Sequence, residues 1–208
     1  MIRTLILFLI LLFPCLSHSQ VNMESNRTNK DGFHGNFQFG VNLFKGNVNV
    51  FTYSLSSKLD YRSDKDYFFL QLLHEYGEED VKKFQNIGFG HFRWTRMWIG
   101  DVGTEVFAQS QYDEFKLLSL RQLFGLGIRF LPYVGFKKKN FIAIGLGVMS
   151  DSERISNQNL TDHVLRATTY ISINKKIRKH THLSLVSYYQ PKITQTSDFR
   201  ILLEGNVE

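Results

Sequence analysis

The stretch TEVFAQSQYDEF, residues 104–115, alternates in character from one residue to the next. Thr104, Val106, Ala108, Ser110 and Tyr112 are small, apolar or aromatic, and the residues between them, Glu105, Phe107, Gln109, Gln111 and Asp113, are mostly polar. Successive side chains of a strand point to opposite faces, so this is a strand with one apolar face and one polar face. In a water-soluble sheet the apolar face covers a core. In an outer-membrane barrel the arrangement is inverted, with the apolar side chains outside and the polar ones within.

The same alternation extends in both directions. It gives ten strand-like runs, at about 33–45, 47–61, 66–76, 84–98, 101–113, 116–133, 139–149, 162–174, 180–190 and 198–207. Most are about ten residues long or longer, where soluble strands run to about 5–6 and membrane-spanning strands need about 9–11. Turn formers and charges separate the runs: Lys45-Gly46-Asn47, Arg62 to Lys65, Gly77 to Lys82, Gly100-Asp101, Asp113-Glu114, Lys137 to Asn140, Ser150 to Thr161, Lys175 to Lys179 and Pro191 to Asp198. Links this short join antiparallel neighbours. The expectation is an all-β, antiparallel, up-and-down transmembrane β-barrel over residues 33–208. About ten strands are visible, and because the sequence stops at LLEGNVE rather than on a terminal aromatic strand, the expectation is either a chain that lacks a final hairpin, for twelve strands in all, or a barrel that closes at about ten.

Composition by face points the same way. Leu118, Leu120, Gln122, Phe124, Leu126, Ile128 and Phe130 form one face of their run, opposite Ser119, Arg121, Leu123, Gly125, Gly127 and Arg129. In the next run Ile142, Ile144, Leu146 and Val148 oppose Ala143, Gly145 and Gly147. Glycine weakens an ordinary strand, yet it suits the crowded inner wall of a narrow barrel. Tyr53, Tyr61, Tyr67, Tyr76, Trp94, Trp98, Tyr112, Tyr188 and Tyr189 gather near strand ends, as girdle residues do at membrane interfaces. With the leader in the periplasm, the links at 77–83, 150–161 and 191–198 fall outside, which fits the rule of longer external loops.

The chain opens MIRTLILFLILLFPCLSHSQ. A basic Arg3, an apolar run from Leu5 to Phe13, and small residues at Ser17 and Ser19 read as a signal peptide over 1–19, too short to span a bilayer as a helix. Cleavage there leaves a polar leader over 20–32, expected to be disordered, and removes Cys15, the single cysteine. No disulfide is then available. Loss of Arg3 lowers the 25 basic residues by one against 19 acidic ones, a modest positive excess that suits anionic lipid headgroups or ordinary solvated loops equally. The expected location is the bacterial outer membrane. The expected partners are its lipids and, during insertion, the barrel-assembly machinery, with no nucleic acid.

The segment GFGHFRWTRMWIGDVGTEVFAQSQYDEFKLLSLRQLFGLGIRF, followed by a glycine-rich strand and GVMSDSE, resembles the salt-induced outer membrane protein family, catalogued as domain of unknown function 481 (DUF481). The likeness rests on His91-Phe92-Arg93-Trp94, on Glu105-Val106-Phe107-Ala108-Gln109, and on Leu120-Arg121 with Gly125-Leu126-Gly127-Ile128-Arg129. It is specific over about residues 88–153. The resemblance implies an outer-membrane β-barrel and supplies no catalytic residues.

Chemical motifs are sparse. Gly125-Leu-Gly127 and Gly145-Leu-Gly147 have the look of phosphate loops, but no helix follows either, and a phosphate cradle needs a helix N-terminus. His180-Thr-His182 places two imidazoles on one face without a third metal ligand. Asn26-Arg-Thr28 and Asn159-Leu-Thr161 match a glycosylation sequon that most bacterial envelopes do not use. No cofactor and no catalytic set is expected. The candidate site is instead a lumen charge network of Glu105, Gln109, Arg121, Arg129, His91 and Arg93. With a turn near Asp113, Glu105 falls opposite Arg121, and buried charges need such partners. The expected role is a structural or small-solute-permeable, porin-like envelope protein whose lumen is largely filled by polar groups. The alternatives are an outer-membrane hydrolase or acyltransferase acting on lipid, and a soluble periplasmic lipid-binding barrel.

Overall fold

The computed structural model describes residues 31–134, 140–156, 161–178 and 181–207. The signal peptide, Cys15, almost all of the leader, His180, Asn159 and the first sequon lie outside the described residues. Every run read from the alternation is a strand: β1 Gly32–Phe44, β2 Val50–Arg62, β3 Asp66–Glu79, β4 Lys82–Ile99, β5 Val102–Asp113, β6 Leu118–Val134, β7 Phe141–Ile155, β8 Thr161–Arg178, β9 Thr181–Lys192 and β10 Gln195–Val207. They form one antiparallel sheet in the order β1 to β10, an up-and-down meander, with one 3-10 turn at Glu114–Lys116. Among the described residues β1 and β10 are its two edges.

Several strands run further than expected. The link read as Gly77 to Lys82 contracts to Asp80-Val81, both at positive φ, which is the backbone that a tight two-residue hairpin demands. Pro191 to Asp198 contracts to Ile193-Thr194. β7 continues to Ile155, with Ser152, Glu153 and Arg154 paired to His163, Asp162 and Thr161. These polar residues resemble a loop by composition, but a backbone ladder is indifferent to side-chain polarity at a wet strand end. The expected contrast between long and short loops is correspondingly weak: Asp80-Val81 at one end of the sheet and Gly100-Asp101 at the other are equally tight.

The sheet is strongly curled. Tyr170 Oη on β8 donates to Glu105 Oε2 on β5 at 2.6 Å, and Arg200 Nη1 on β10 donates to Asp151 Oδ2 on β7 at 2.6 Å. Strands three apart lie about 14 Å from each other in a flat sheet, so these pairs meet only where the face carrying them is concave. That face is the buried one. Glu105, Arg121, Arg129 and Asp151 are 1–5% exposed, while Leu126, Leu146 and Leu203 on the convex face are 56–66% exposed. Soluble proteins distribute these residue types the other way round.

Apolar clusters fill the spaces between the charges: Phe107, Leu123 and Met149; Tyr67, Phe69 and Phe89; and Phe141, Ala143, Tyr170, Val186 and Tyr188. The glycines explain how they fit. A Cβ on Gly125 would stand 2.3 Å from the Phe107 ring and one on Gly145 1.9 Å from the Tyr170 ring, so each ring lies over a glycine of the neighbouring strand. Gly127 and Gly147 face one another, and a Cβ on either would meet a backbone carbonyl oxygen at 2.6 or 2.4 Å. The crowding read from the sequence is therefore present on the concave face.

Two face assignments change. An irregularity between Leu118 and Leu120 turns Leu118 into the buried face, 8% exposed, and leaves Ser119 exposed. Tyr67 and Tyr188 point inward and are buried rather than belonging to a girdle. The convex face keeps aromatic groups at both ends: Tyr53 stacked on Tyr76 with Tyr112 nearby at one, and Phe68 stacked on Trp94 with Tyr61 and Trp98 at the other.

Gly147→Ala is expected to lower the unfolding free energy by roughly 1–3 kcal/mol, because its methyl would meet backbone rather than a side chain able to rotate away. A denaturant midpoint unchanged from that of the parent protein would contradict this packing.

Candidate functional site

Alternate positions on three adjacent strands deliver the polar groups of the concave face. β4 contributes His91, Arg93 and Thr95; β5 contributes Glu105, Gln109 and Gln111; β6 contributes Arg121 and Arg129. All six residues of the expected network are buried. They divide, however, between two separate ionic centres.

The first centre is Glu105. Its Oε1 accepts from Arg129 Nη1 at 3.2 Å and from Thr95 Oγ1 at 3.1 Å, and its Oε2 accepts from Tyr170 Oη. Arg129 Nη1 also donates to Tyr170 Oη at 2.6 Å, and Arg93 Nη1 lies 3.9 Å from Oε2. Both guanidiniums sit over aromatic rings, Arg93 over Phe107 and Arg129 over Tyr170, an arrangement that shelters a cation from full desolvation. Beside this centre, His91 Nδ1 bonds Gln109 Oε1 at 3.0 Å, Gln109 Nε2 donates to Gln111 at 2.8 Å, and the imidazole is stacked between Phe89 and Phe107.

The second centre is Asp151. Arg121 grips it with two parallel bonds of 3.0 Å, Nε to Oδ1 and Nη2 to Oδ2, and Arg200 Nη1 adds the 2.6 Å bond from β10. Arg166 Nε stands 3.6 Å away and its Nη1 bonds Asp198 at 3.0 Å, while Arg200 Nη2 reaches Glu153 at 3.2 Å. Fork-to-carboxylate pairing of this kind is among the stronger polar contacts a protein makes.

The expected Glu105–Arg121 pair is thus corrected. Glu105 lies opposite Gly127, and Arg121 lies opposite Gln111. The cause is the turn: Asp113 caps a 3-10 turn by accepting from the Phe115 and Lys116 backbone N–H groups, and Leu117 follows in the left-handed conformation. Residues 114–117 therefore leave the ladder and the register moves past the position that a turn at Asp113 would give. In the same turn, the Asn86 amide bonds Glu114 at 2.6 Å and, with Lys83 beside it, holds that carboxyl below the usual carboxylate range.

Thr95, Tyr170, Asp151, Arg166 and Arg200 were not anticipated as site residues. Alternation alone puts Asp151 and Arg166 on the same face as Gly147 and Thr168. Ladder register and curvature together say which arginine each acid meets. Next to the Glu105 centre, a recess of about 260 Å³ opens among Arg62, Lys65, Tyr67, Asp101, Arg129 and Phe141. On the convex side, Ser110, Gln122, Ser152 and His163 make a polar row across a shallow groove. Among the described residues no three of His, Cys, Asp and Glu are grouped as metal ligands would be.

Glu105→Gln and Arg129→Gln are each expected to destabilise the fold by about 3–5 kcal/mol, since each strands a buried partner. Their double mutant should cost clearly less than the sum. Glu105→Gln with Arg121→Gln should be close to additive, as those side chains belong to different centres. Chemical denaturation of the full set checks both statements, and coupling between Glu105 and Arg121 larger than between Glu105 and Arg129 would overturn the assignment.

No curated protein matches the chain. The family model described as "Protein of unknown function, DUF481" matches residues 37–204, from within β1 to within β10. The match takes in both ionic centres and all the residues on which the resemblance rests, and the chain belongs to the DUF481 family.

Proposed function

We propose that this protein is an integral β-barrel of the bacterial outer membrane, with a structural or small-solute permeability role and an interior largely filled by its own polar and aromatic side chains. The observation that carries the reading is the inversion of the sheet: buried charge on the concave face, exposed hydrocarbon on the convex one. The apolar surface runs from Phe37 and Phe39 on β1 through Phe124, Leu126, Leu146 and Ile171 to Ile201 and Leu203 on β10, far more than a soluble monomer leaves in water. Lipid is the partner such a surface fits.

The aromatic groups support the same reading. Tyr53 and Tyr61 mark the two ends of β2, eight positions apart, which is about 27 Å along a strand and about 20 Å across a membrane at a tilt of about 40°. That is close to the apolar band of an outer-membrane barrel, about 25 Å tall. Export follows from the signal peptide read at 1–19, and the leader would remain in the periplasm.

The concave face argues for restricted permeation. Layers of Phe107, Leu123 and Met149 and of Phe141, Tyr170 and Tyr188 lie among the two ionic centres. On β1 and β2 the inward residues Asn36, Gln38, Asn42, Thr52, Ser54 and Ser56 are smaller and uncharged, and the Lys58–Asp60 ion pair faces inward beside them, so any path through the wall of side chains runs among small polar groups and past that pair.

The test combines fractionation, gel mobility and conductance. The protein is expected in the outer membrane fraction, running faster on SDS gels before boiling than after, and Leu126→Arg should cost roughly 2–4 kcal/mol of folding in liposomes if that residue lies near the bilayer midplane. Release by osmotic shock would make it a soluble carrier. A large, stable current in a planar bilayer would replace the filled barrel with an open porin.

A further inference from the structure

The two sheet edges lead beyond this reading while resting on it. An open edge exposes a row of backbone N–H and C=O groups, which hydrocarbon cannot satisfy. We propose that β10 pairs directly with β1, antiparallel, in one register: Phe199 opposite Leu43, Ile201 opposite Val41, Leu203 opposite Phe39, Gly205 opposite Phe37 and Val207 opposite Gly35.

Direction and facing permit this pairing. Each strand is antiparallel to the next in the order β1 to β10, so the first and tenth run in opposite senses, as a hairpin-like ladder requires. Both edges carry the same two faces. Phe37, Phe39, Val41 and Leu43 on β1, and Phe199, Ile201 and Leu203 on β10, are exposed on the convex side. Arg200 reaches the concave Asp151 from β10, and Asn36, Gln38 and Asn42 share the concave side of β1 with Lys58, Ser56 and Thr52.

The register follows from the stagger already built into the ladders. The row of directly opposed residues that begins at Phe33 passes through Tyr61, Phe68, Trp94, Val106, Leu126, Val148 and Ala167. The β8–β9 register carries it on to Pro191, and it ends at Phe199. It starts at the foot of β1 and finishes near the opposite end of the sheet. In a closed barrel such a row returns to its first strand displaced, and the displacement fixes the strand tilt. Tilts of about 35–45°, with a rise of about 3.3 Å and a spacing of about 4.8 Å, need a displacement of about 10–14 residues over the strands of this sheet. Phe199 must then meet β1 at or just beyond Leu43, where that strand ends.

Only even displacements keep the two faces in phase. The smallest one in the range, with Leu43 opposite Phe199, preserves the longest ladder. It also repeats a device used elsewhere in this sheet, a bulky side chain over a cross-strand glycine, as in Phe107 over Gly125 and Tyr170 over Gly145. Here Phe37 covers Gly205 on the outside and Leu202 covers Gly40 on the inside. The inward pairs become Arg200 with Asn42, Glu204 with Gln38, and Asn206 with Asn36, all able to hydrogen-bond. Two residues further round, Arg200 would instead face Phe44 and Leu202 would face Asn42.

Engineered cysteines test the register in the full-length protein purified from the membrane. Directly opposed strand positions bring Cβ atoms to about 4.5–5.5 Å, within reach of a disulfide after small adjustments. Phe39→Cys with Leu203→Cys, on the outer face, and Gln38→Cys with Glu204→Cys, on the inner face, are expected to form an intramolecular bridge under mild oxidation in at least one of the two variants. The bridge is read as a mobility shift of the fully denatured, non-reduced chain. Val41→Cys with Leu203→Cys, displaced by one pair, should bridge far less. Disulfide-linked dimers in place of the internal bridge would mean that the edges pair with a second copy. Absence of any bridge in protein that remains membrane-inserted and heat-modifiable would mean that other strands intervene, and either result overturns the proposal while leaving the membrane reading intact. Recovery of the protein as a soluble species would defeat the reading itself and the closure with it.

Discussion

A carboxylate buried on a β-sheet has to find cations and hydroxyls within a few ångströms, and Glu105 finds them on three other strands. Arg129 is on the adjacent β6, Thr95 and Arg93 are on β4, and Tyr170 arrives from β8. The last contact is possible only if the sheet curls about an axis along its strands. The same applies at Asp151, where Arg121 and Arg166 flank the acid and Arg200 closes over it from β10. Buried ion pairs are weak evidence for net stability. Here they select curvature, because a flat or differently registered sheet would leave the same charges buried and unmatched.

Curvature in turn demands room, and the glycines provide it. Gly125 and Gly145 lie beneath aromatic rings, and Gly127 and Gly147 allow β6 and β7 to approach where any side chain would meet a carbonyl. Glycine is a poor strand former in isolation. Its presence in the middle of two long strands reflects the thickness available inside a tightly curved wall, where aromatic rings and guanidiniums must share one small cross-section. The Phe107, Leu123 and Met149 layer lies on the strands that also carry both ionic centres, so desolvation strengthens each hydrogen bond within them.

The register that aligns these groups originates at the turns. Asp113, by capping the 3-10 turn that follows β5, decides that Glu105 meets Gly127 and Arg129 rather than Arg121. The positive-φ pair Asp80-Val81 brings β3 and β4 together in a tight hairpin, so that Phe68 stacks on Trp94 and Phe69 falls beside His91. Short links thus do much of the specifying that a single apolar core does in other sheets.

The amino-acid sequence determined the strands, their antiparallel order and the two faces of each, because a period of two is written directly into side-chain polarity. His91, Arg93, Glu105, Gln109, Arg121 and Arg129 were placed on the buried face by that period alone, and the glycines of β6 and β7 marked the crowded wall. Polar strand ends such as Ser152 to Arg154 were hidden, since composition records where water reaches a side chain and not where a backbone ladder stops. The inward turn of Leu118 was hidden because a single irregularity in a strand reverses its phase. The choice of ionic partners belonged entirely to the tertiary structure. Asp151, Arg166, Arg200 and Tyr170 are far from their partners along the chain and three strands distant in several cases, and what joins them is the sum of one capped turn, several ladder registers and the curl of the whole sheet, none of which is a property of any local stretch of residues.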